Sequence, residues 1–146
     1  MKITEVKVHK WHPGTGKNFI YVKVSTDAGI YGWGEAYTQS DRDTQVEAHI
    51  LQLSRYLEGR DPLHIRQFTH MAYEDFATKR GGMDFHCAVS GIEIALWDIA
   101  GKAMDQPVYN LLGGPLRPRI RVYANGPGGK DAESTAKNAI KLVDEG

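Results

Sequence analysis

The stretch from Ser90 to Gly114, SGIEIALWDIAGKAMDQPVYNLLGG, constrains this chain more than any other. Apolar residues at Ala88, Ile92, Ala95, Leu96, Ile99 and Ala103 recur with the period of one broad α-helical face. Small residues at Gly91, Ala95, Ala100 and Gly101 interrupt good helix formers, and a glycine inside a helix costs about 1 kcal/mol relative to alanine. Close approach of another backbone is the expected compensation. Asp98 and Lys102 stand at i, i+4 in the favourable acid-first order, and Gln106-Pro107 is expected to end the helix because proline disfavours helical geometry in the residue before it. Pro107, Gly113, Gly114, Pro115 and Pro118 then punctuate a short connection to a new strand.

The chain before this helix changes period once. Ile3 to His9 alternates, with Thr4, Val6 and Val8 opposite Glu5 and Lys7, as a half-buried strand does. Trp11 to Asn18, WHPGTGKN, reads as a loop, and Ile20, Val22 and Val24 alternate with Tyr21 and Lys23 in a second strand. Asp27-Ala28-Gly29 supplies a tight turn into a third strand from Ile30 to Glu35, which holds Gly32 and Gly34. These three strands form an antiparallel meander. Helical spacing follows: Ser40 or Asp41 can cap a helix with Val46, Ile50, Leu53 and Leu57 on one face, closed by Gly59. Asp61-Pro62 is expected to open the next helix, with Ile65, Phe68, Ala72 and Phe76 inward, and Lys79-Arg80-Gly81-Gly82 to break it. Strands followed by helices predict an α+β fold, with the helices on one face of the sheet.

The last segment follows a different grammar. Arg119 to Asn125 reads as a fresh strand with Ile120, Val122 and Ala124 on one side, followed by the loop GPGGK and a helix. Asp131 caps that helix, Ala136, Ile140 and Val143 are its expected buried side, and Gly146 takes the left-handed position after it. One βα unit has no parallel partner, so residues 1–114 are expected to form one domain and 115–146 the beginning of another.

Composition excludes several partners. Lysine plus arginine equals aspartate plus glutamate at 18 each, so no net field draws nucleic acid or an anionic membrane. No apolar run approaches the roughly 20 residues that span a bilayer, and MKITEVKV alternates instead of carrying a signal-peptide core. A soluble, cytoplasmic protein is expected. The single Cys87 precludes an internal disulfide, and its apolar setting just before the central helix suits a buried, inert thiol.

Glycine-rich loops do not make a nucleotide site here. PGTGKN would need glycine at position 11 and serine or threonine at position 18, where Trp11 and Asn18 stand; GPGGKD precedes a helix but has Ala124 and a negative Asp131 where a phosphate would sit. His9 and His12 lack a third ligand nearby in sequence, and no zinc pattern exists. Glu93 and Asp98, five residues apart, fall on different helix faces and suit structural ion pairs better than acid/base work, while Trp97 suits packing. Two loops have more to offer. Trp11 to Asn18 carries aromatic, imidazole, amide and ammonium groups, and Glu35 to Ser40 carries a similar mixture; in a meander the loop after strand one and the exit of strand three share an end, so the two can close jointly over a site.

The order of elements, the TDAGIYGWGE turn and strand, the KRGGMD break and above all SGIEIALWDIAGKAMDQPVYNLLGG resemble the amino-terminal capping domain of the enolase superfamily, in its mandelate racemase and muconate lactonizing enzyme branch. The likeness runs over essentially the whole chain. It implies an enolase N-terminal-like domain over 1–114, then RIRVYAN as the first strand and Asp131 to Glu145 as the first helix of a (β/α)7β barrel that this sequence leaves truncated. It further implies a complete protein in which the cap's loops select a small-molecule carboxylate. The remainder of the barrel would hold Mg2+ on three carboxylates and carry the bases that remove the proton alpha to the carboxylate. None of those barrel residues lies within this chain, so no catalytic or metal-binding residue is assigned and the chain alone is expected to be inactive. His12, Lys17, Tyr37 and, at the carboxyl end of the first barrel strand, Asn125 are the candidates for substrate contact. A loop with lysine, histidine, threonine and asparagine suits a hydroxylated anion better than an apolar ring. Dehydration of a sugar acid to a 2-keto-3-deoxy acid, a carbon–oxygen lyase reaction, is therefore the leading expectation. A racemase, epimerase or cycloisomerase on the same scaffold is the alternative, and a non-catalytic binding domain is the alternative from another class. The family also implies a homo-oligomer.

Overall fold

The computed structural model describes the chain apart from residues 15, 40, 77–80 and 146, and describes the side chains apart also from residues 75 and 76. The expected contributions of Ser40, Phe76, Lys79, Arg80 and Gly146 therefore lie outside the described residues. The chain divides into two compact units, Met1–Gly114 and Pro115–Gly146.

In the first unit, β1 (Ile3–Trp11), β2 (Phe19–Thr26) and β3 (Tyr31–Ala36) form an antiparallel sheet in the order β1-β2-β3. Helices follow as α1 (Asp43–Leu53), α2 (Ile65–Met71), α3 (Met83–Met104) and the short α4 (Val108–Leu111). The α+β reading holds. A register shift between Ile3 and Glu5 changes one strand in detail: Val6 is buried and Val8 packs against the core as expected, but Thr4 is exposed at the bulge and Ile3 takes the inward place expected of Thr4. Ile20, Val22 and Val24 of β2 face the same core as Val46, Ile50 and Leu53 of α1 and Ile92, Leu96 and Ile99 of α3. Each such fully buried aliphatic side chain contributes about 1.5–3 kcal/mol.

The glycines of β3 have a single explanation. A Cβ on Gly34 would lie 1.9 Å from the Gly91 carbonyl oxygen, and one on Gly32 would lie 2.0 Å from that of Ala95. Reciprocally, a Cβ on Gly91 would meet the Ala36 Cβ at 2.8 Å. Gly91 and Ala95 are thus small because α3 rests directly on β3. Gly101 has a separate reason, since its Cβ would come 2.8 Å from the Gln106 carbonyl oxygen where the chain leaves the helix. The same helix seals the outer edge of β3: the Asp98 carboxylate accepts the Trp33 N–H at 2.8 Å, and Lys102 donates to the Tyr31 carbonyl at 2.8 Å and to Asp98 at 2.7 Å. Side chains thereby occupy backbone groups that an additional strand would otherwise pair with.

Helix boundaries depart from expectation where local alternatives compete. Asp41 adopts a left-handed φ of 64°, and α1 is preceded by Arg42, which makes no side-chain cap. Asp61 accepts the Leu63 N–H at 2.9 Å in a local turn, so α2 starts at Ile65 and not at Pro62. The central helix stops at Met104 because Asp105 turns left-handed with φ 51°, ahead of the Gln106-Pro107 stop; Pro107 instead precedes α4. Cys87 lies within α3, half-buried, and not before it. Burial, and then the Asp84 charge, pushes its thiol pKa up against a smaller opposing effect of Lys17, which disfavours the nucleophilic thiolate.

The second unit differs from expectation in two ways. Residues 119–125 form no strand, and Ile120, Val122 and Tyr123 are 79%, 80% and 87% exposed. A strand exists through its ladder, and the described residues of this unit include no second strand to supply one. Helix α5 (Ala132–Asp144) forms, but Ala136, Ile140 and Val143 are exposed and not buried. Without packing, its local start signal matters more. The Ser134 N–H donates to Asp131 Oδ1 at 2.8 Å, and the Asp131 N–H to Ser134 Oγ at 3.2 Å, a reciprocal capping box. These bonds hold the Asp131 carboxyl below its ordinary 3.8. A depressed carboxyl pKa stabilises the folded form above the unfolded value and loses that contribution as pH falls through the folded one. Helical carbon shifts over residues 132–144 should therefore weaken below about pH 4, less so in Asp131→Asn, which keeps the cap without the titration. Equal acid sensitivity of the two proteins would remove Asp131 as the cause.

Candidate functional site

The meander places residues 12–14 and 16–18, between β1 and β2, at the same end of the sheet as residues 37–39, which leave β3. Glycine makes the first loop possible: Gly14 and Gly16 adopt φ of 93° and 76°, a region that side chains other than glycine rarely enter. His12 is exposed, and its Nδ1 accepts the Gly14 N–H at 3.0 Å. In the neutral ring that acceptor role leaves the proton on Nε2.

The two loops meet at Lys17. Its Nζ donates to the Thr38 carbonyl at 3.0 Å and sits 3.6 Å from the centre of the Tyr37 ring. Attraction of the ammonium to the ring adds about 0.5–1 kcal/mol at an accessible position. The Tyr37 hydroxyl in turn accepts from Gln39 Nε2 at 2.6 Å. A second junction lies beneath. Asp43, the first residue of α1, accepts from Asn18 Nδ2 through one carboxylate oxygen and faces Thr38 Oγ1 at 3.1 Å through the other. Thr38 Oγ1 is also 3.0 Å from the Gln39 carbonyl, and of its two acceptors the carboxylate is the stronger. Thr38 is only 3% exposed, so its hydroxyl needs a partner.

Neighbouring ion pairs brace this end. Lys10 of β1 pairs with Glu47 of α1, and Arg42 makes a forked pair with Asp84 in the first turn of α3, whose hydrogen bonds and charge raise the guanidinium pKa further. Asp98 is engaged structurally, as expected, and Glu93 lies 3.4 Å from the Trp97 indole nitrogen. His9 packs its ring 5.1 Å from Trp33 on the sheet. Among the described residues no group of three or more histidine, cysteine, aspartate or glutamate side chains could hold a metal ion, so these residues do not fit a divalent-ion centre of their own.

Of the four residues singled out from sequence, Lys17 and Tyr37 are in contact, and His12 lies on the loop that carries Lys17. Asn125 belongs to the second unit, exposed beside Gly126 with its φ of 76°. Sequence reading missed Asn18, Thr38 and Asp43 as a linked set. The available signal was Asp43 at the first turn of a helix that follows a polar loop, but its partner Asn18 is 25 residues away and leaves no local pattern.

Residues 7–113 match the family described as mandelate racemase / muconate lactonizing enzyme, N-terminal domain. The D-galactonate dehydratase of Pectobacterium atrosepticum is 40% identical over 145 residues, which cover 99% of this chain and 36% of that protein. The D-galactonate dehydratase of Klebsiella pneumoniae is 39% identical over 136 residues, covering 93% and 34%. Among solved structures, the mandelate racemase/muconate lactonizing enzyme from Sulfitobacter sp superposes with a TM-score of 0.88 at 34% identity, over 100% of this chain and 40% of that one. An enolase from Agrobacterium radiobacter, solved with Na and L-malate bound, superposes with a TM-score of 0.85 at 30% identity, over 99% and 36%. The chain spans about a third of the length of the curated relatives it matches.

Proposed function

Because the chain belongs to the mandelate racemase/muconate lactonizing enzyme family, we propose that it is the amino-terminal part of a sugar-acid dehydratase. In this reading residues 1–114 cap the active site and 115–146 begin the catalytic barrel. The observation that carries it is the likeness, over nearly the whole chain, to relatives named D-galactonate dehydratase. The polar character of the loop junction supports it: a cation, a phenol and an imidazole gather around residues 12–18 and 37–39, a set suited to a carboxylate bearing several hydroxyls.

The reaction removes the proton alpha to the substrate carboxylate and expels the beta hydroxyl, giving a 2-keto-3-deoxy acid. Mg2+ held elsewhere in the complete enzyme would supply charge stabilisation as the proton leaves. The residues of this chain bind and orient. Lys17 meets negative charge on the substrate, and the Tyr37 hydroxyl and the His12 Nε2–H meet its hydroxyls; Asn125 is the candidate contact residue of the second unit. The two loops also exclude water, which strengthens each of these contacts. The chain by itself is inactive in this reading, and the complete protein is a cytoplasmic homo-oligomer.

The test is to express the reading frame containing this chain at the length of its relatives and assay D-galactonate and other hexonates with Mg2+. The expected product is a 2-keto-3-deoxy acid, detected as its semicarbazone and lost on chelation. An epimer without keto acid would favour the racemase alternative. Folded protein that turns over no sugar acid would overturn the proposal.

A further inference from the structure

We propose that Asp43 is a positioning residue that makes the two loops one body. Its carboxylate holds Asn18 of the first loop and Thr38 of the second, and these are the sequence neighbours of the contacting pair Lys17 and Tyr37. Three features favour this over an incidental surface bond. Thr38 is buried, so its hydroxyl commits to a protein acceptor. Asp43 is the first residue of α1, where the helix N-terminus favours a negative charge and the backbone is rigid. The helix itself is anchored in the core through Val46 and Ile50, so both loops are referenced to a fixed element and not merely to each other.

The consequence is specific. Lys17 donates to the carbonyl of Thr38, the residue whose hydroxyl faces Asp43, so the position of the ammonium depends on Asp43 although the two do not touch. This deepens the reading of the loops as substrate-facing and rests on it for its kinetic consequence, but the coupling of the loops can be measured without any substrate.

Three variants separate the causes. Asp43→Ala removes both acceptors. Asp43→Asn keeps an oxygen for Thr38 and, after an amide flip, a bond to Asn18. Both lose the negative charge at the start of α1, so their difference isolates the two hydrogen bonds from the helix-end charge. Asn18→Ala cuts one arm and leaves the helix untouched.

Hydrogen exchange on the 146-residue chain is the first readout. In Asp43→Ala, amides of residues 12–18 and 37–39 should exchange about tenfold faster while those of α3 keep their protection, with Asp43→Asn close to the parent and Asn18→Ala accelerating at least the first loop. Unchanged exchange in Asp43→Ala, or acceleration confined to α1, would overturn the proposal. Kinetics of the complete enzyme are the second. Asp43→Ala should raise KM for the sugar acid about tenfold with kcat within about threefold, and Asp43→Asn should recover most of that loss. Faster exchange with an unchanged KM would reduce Asp43 to a structural role. If no sugar acid is turned over, the dehydratase reading fails, and exchange alone then decides whether Asp43 couples the loops.

Discussion

Replacing Gly34 with alanine is expected to destabilise the first unit by about 3 kcal/mol or more, a large fraction of the roughly 5–15 kcal/mol that keeps an ordinary domain folded. The added Cβ would lie 1.9 Å from the Gly91 carbonyl oxygen and 2.9 Å from the Ala95 nitrogen. Both obstacles are backbone of a 22-residue helix, so no rotamer change relieves them and α3 must move off the sheet. Such a movement would also open the contacts of Ile92, Leu96 and Ile99 with β2 and draw Asp98 away from Trp33. Gly82→Ala is the matched control, since Gly82 has φ −73° and nothing within 4 Å of its ideal Cβ. Urea denaturation followed by circular dichroism should show a lower midpoint for Gly34→Ala and a much smaller change for Gly82→Ala, whose cost is only that of alanine at the cap of α3. A Gly34→Ala midpoint matching the parent would mean that α3 does not rest on β3 as closely as the structure has it.

That seam also marks the boundary between what the chain discloses locally and what it does not. The period of two through Ile20, Val22 and Val24, and the period of 3.6 through Ile92, Leu96 and Ile99, are repeated along the chain, so the meander and the central helix are legible from sequence. Glycines in β3 and small residues in α3 are each visible alone. Their pairing, Gly34 against Gly91 and Gly32 against Ala95, spans 57 and 63 positions and emerges only when helix and strand are superposed. The bulge at Thr4 and the late start of α2 escaped for another reason. At both places a local backbone alternative wins over the side-chain pattern: a register shift in one, and the Asp61 turn in the other. Arg119 to Asn125 alternates as strands do, yet alternation is only permission to pair; exposed Ile120 and Val122 show the pattern without the ladder. The candidate site divides in the same way. That the two loops share an end follows from three antiparallel strands, whereas the Asn18, Thr38 and Asp43 linkage depends on side chains that no sequence window holds together.

In the complete sugar-acid dehydratase proposed above, Lys17→Met is expected to raise KM for an anionic sugar acid by about 10- to 100-fold, the equivalent of losing one charge-assisted hydrogen bond of roughly 1.5–3 kcal/mol. Methionine keeps an apolar stem that can lie over Tyr37, so packing should survive while the cation does not. The size of the effect follows from how Lys17 is held. A free surface lysine loses about 1.5–2 kcal/mol of side-chain entropy when fixed by a ligand. Here the Thr38 carbonyl at 3.0 Å and the Tyr37 ring at 3.6 Å restrain the side chain in advance, which leaves more of its attraction for the substrate. Lys17→Arg should recover only part of the affinity, because a planar guanidinium cannot reproduce a compact ammonium over the ring and on the carbonyl together. Ionic strength supplies the discriminating readout. Raising salt should increase KM for the parent enzyme and change it less for Lys17→Met, since the variant has already lost the charge that salt would screen. A KM that rises in Lys17→Met but keeps its full salt dependence would place the substrate's charge on another cation, and Lys17 would then act on the loops and not on the ligand.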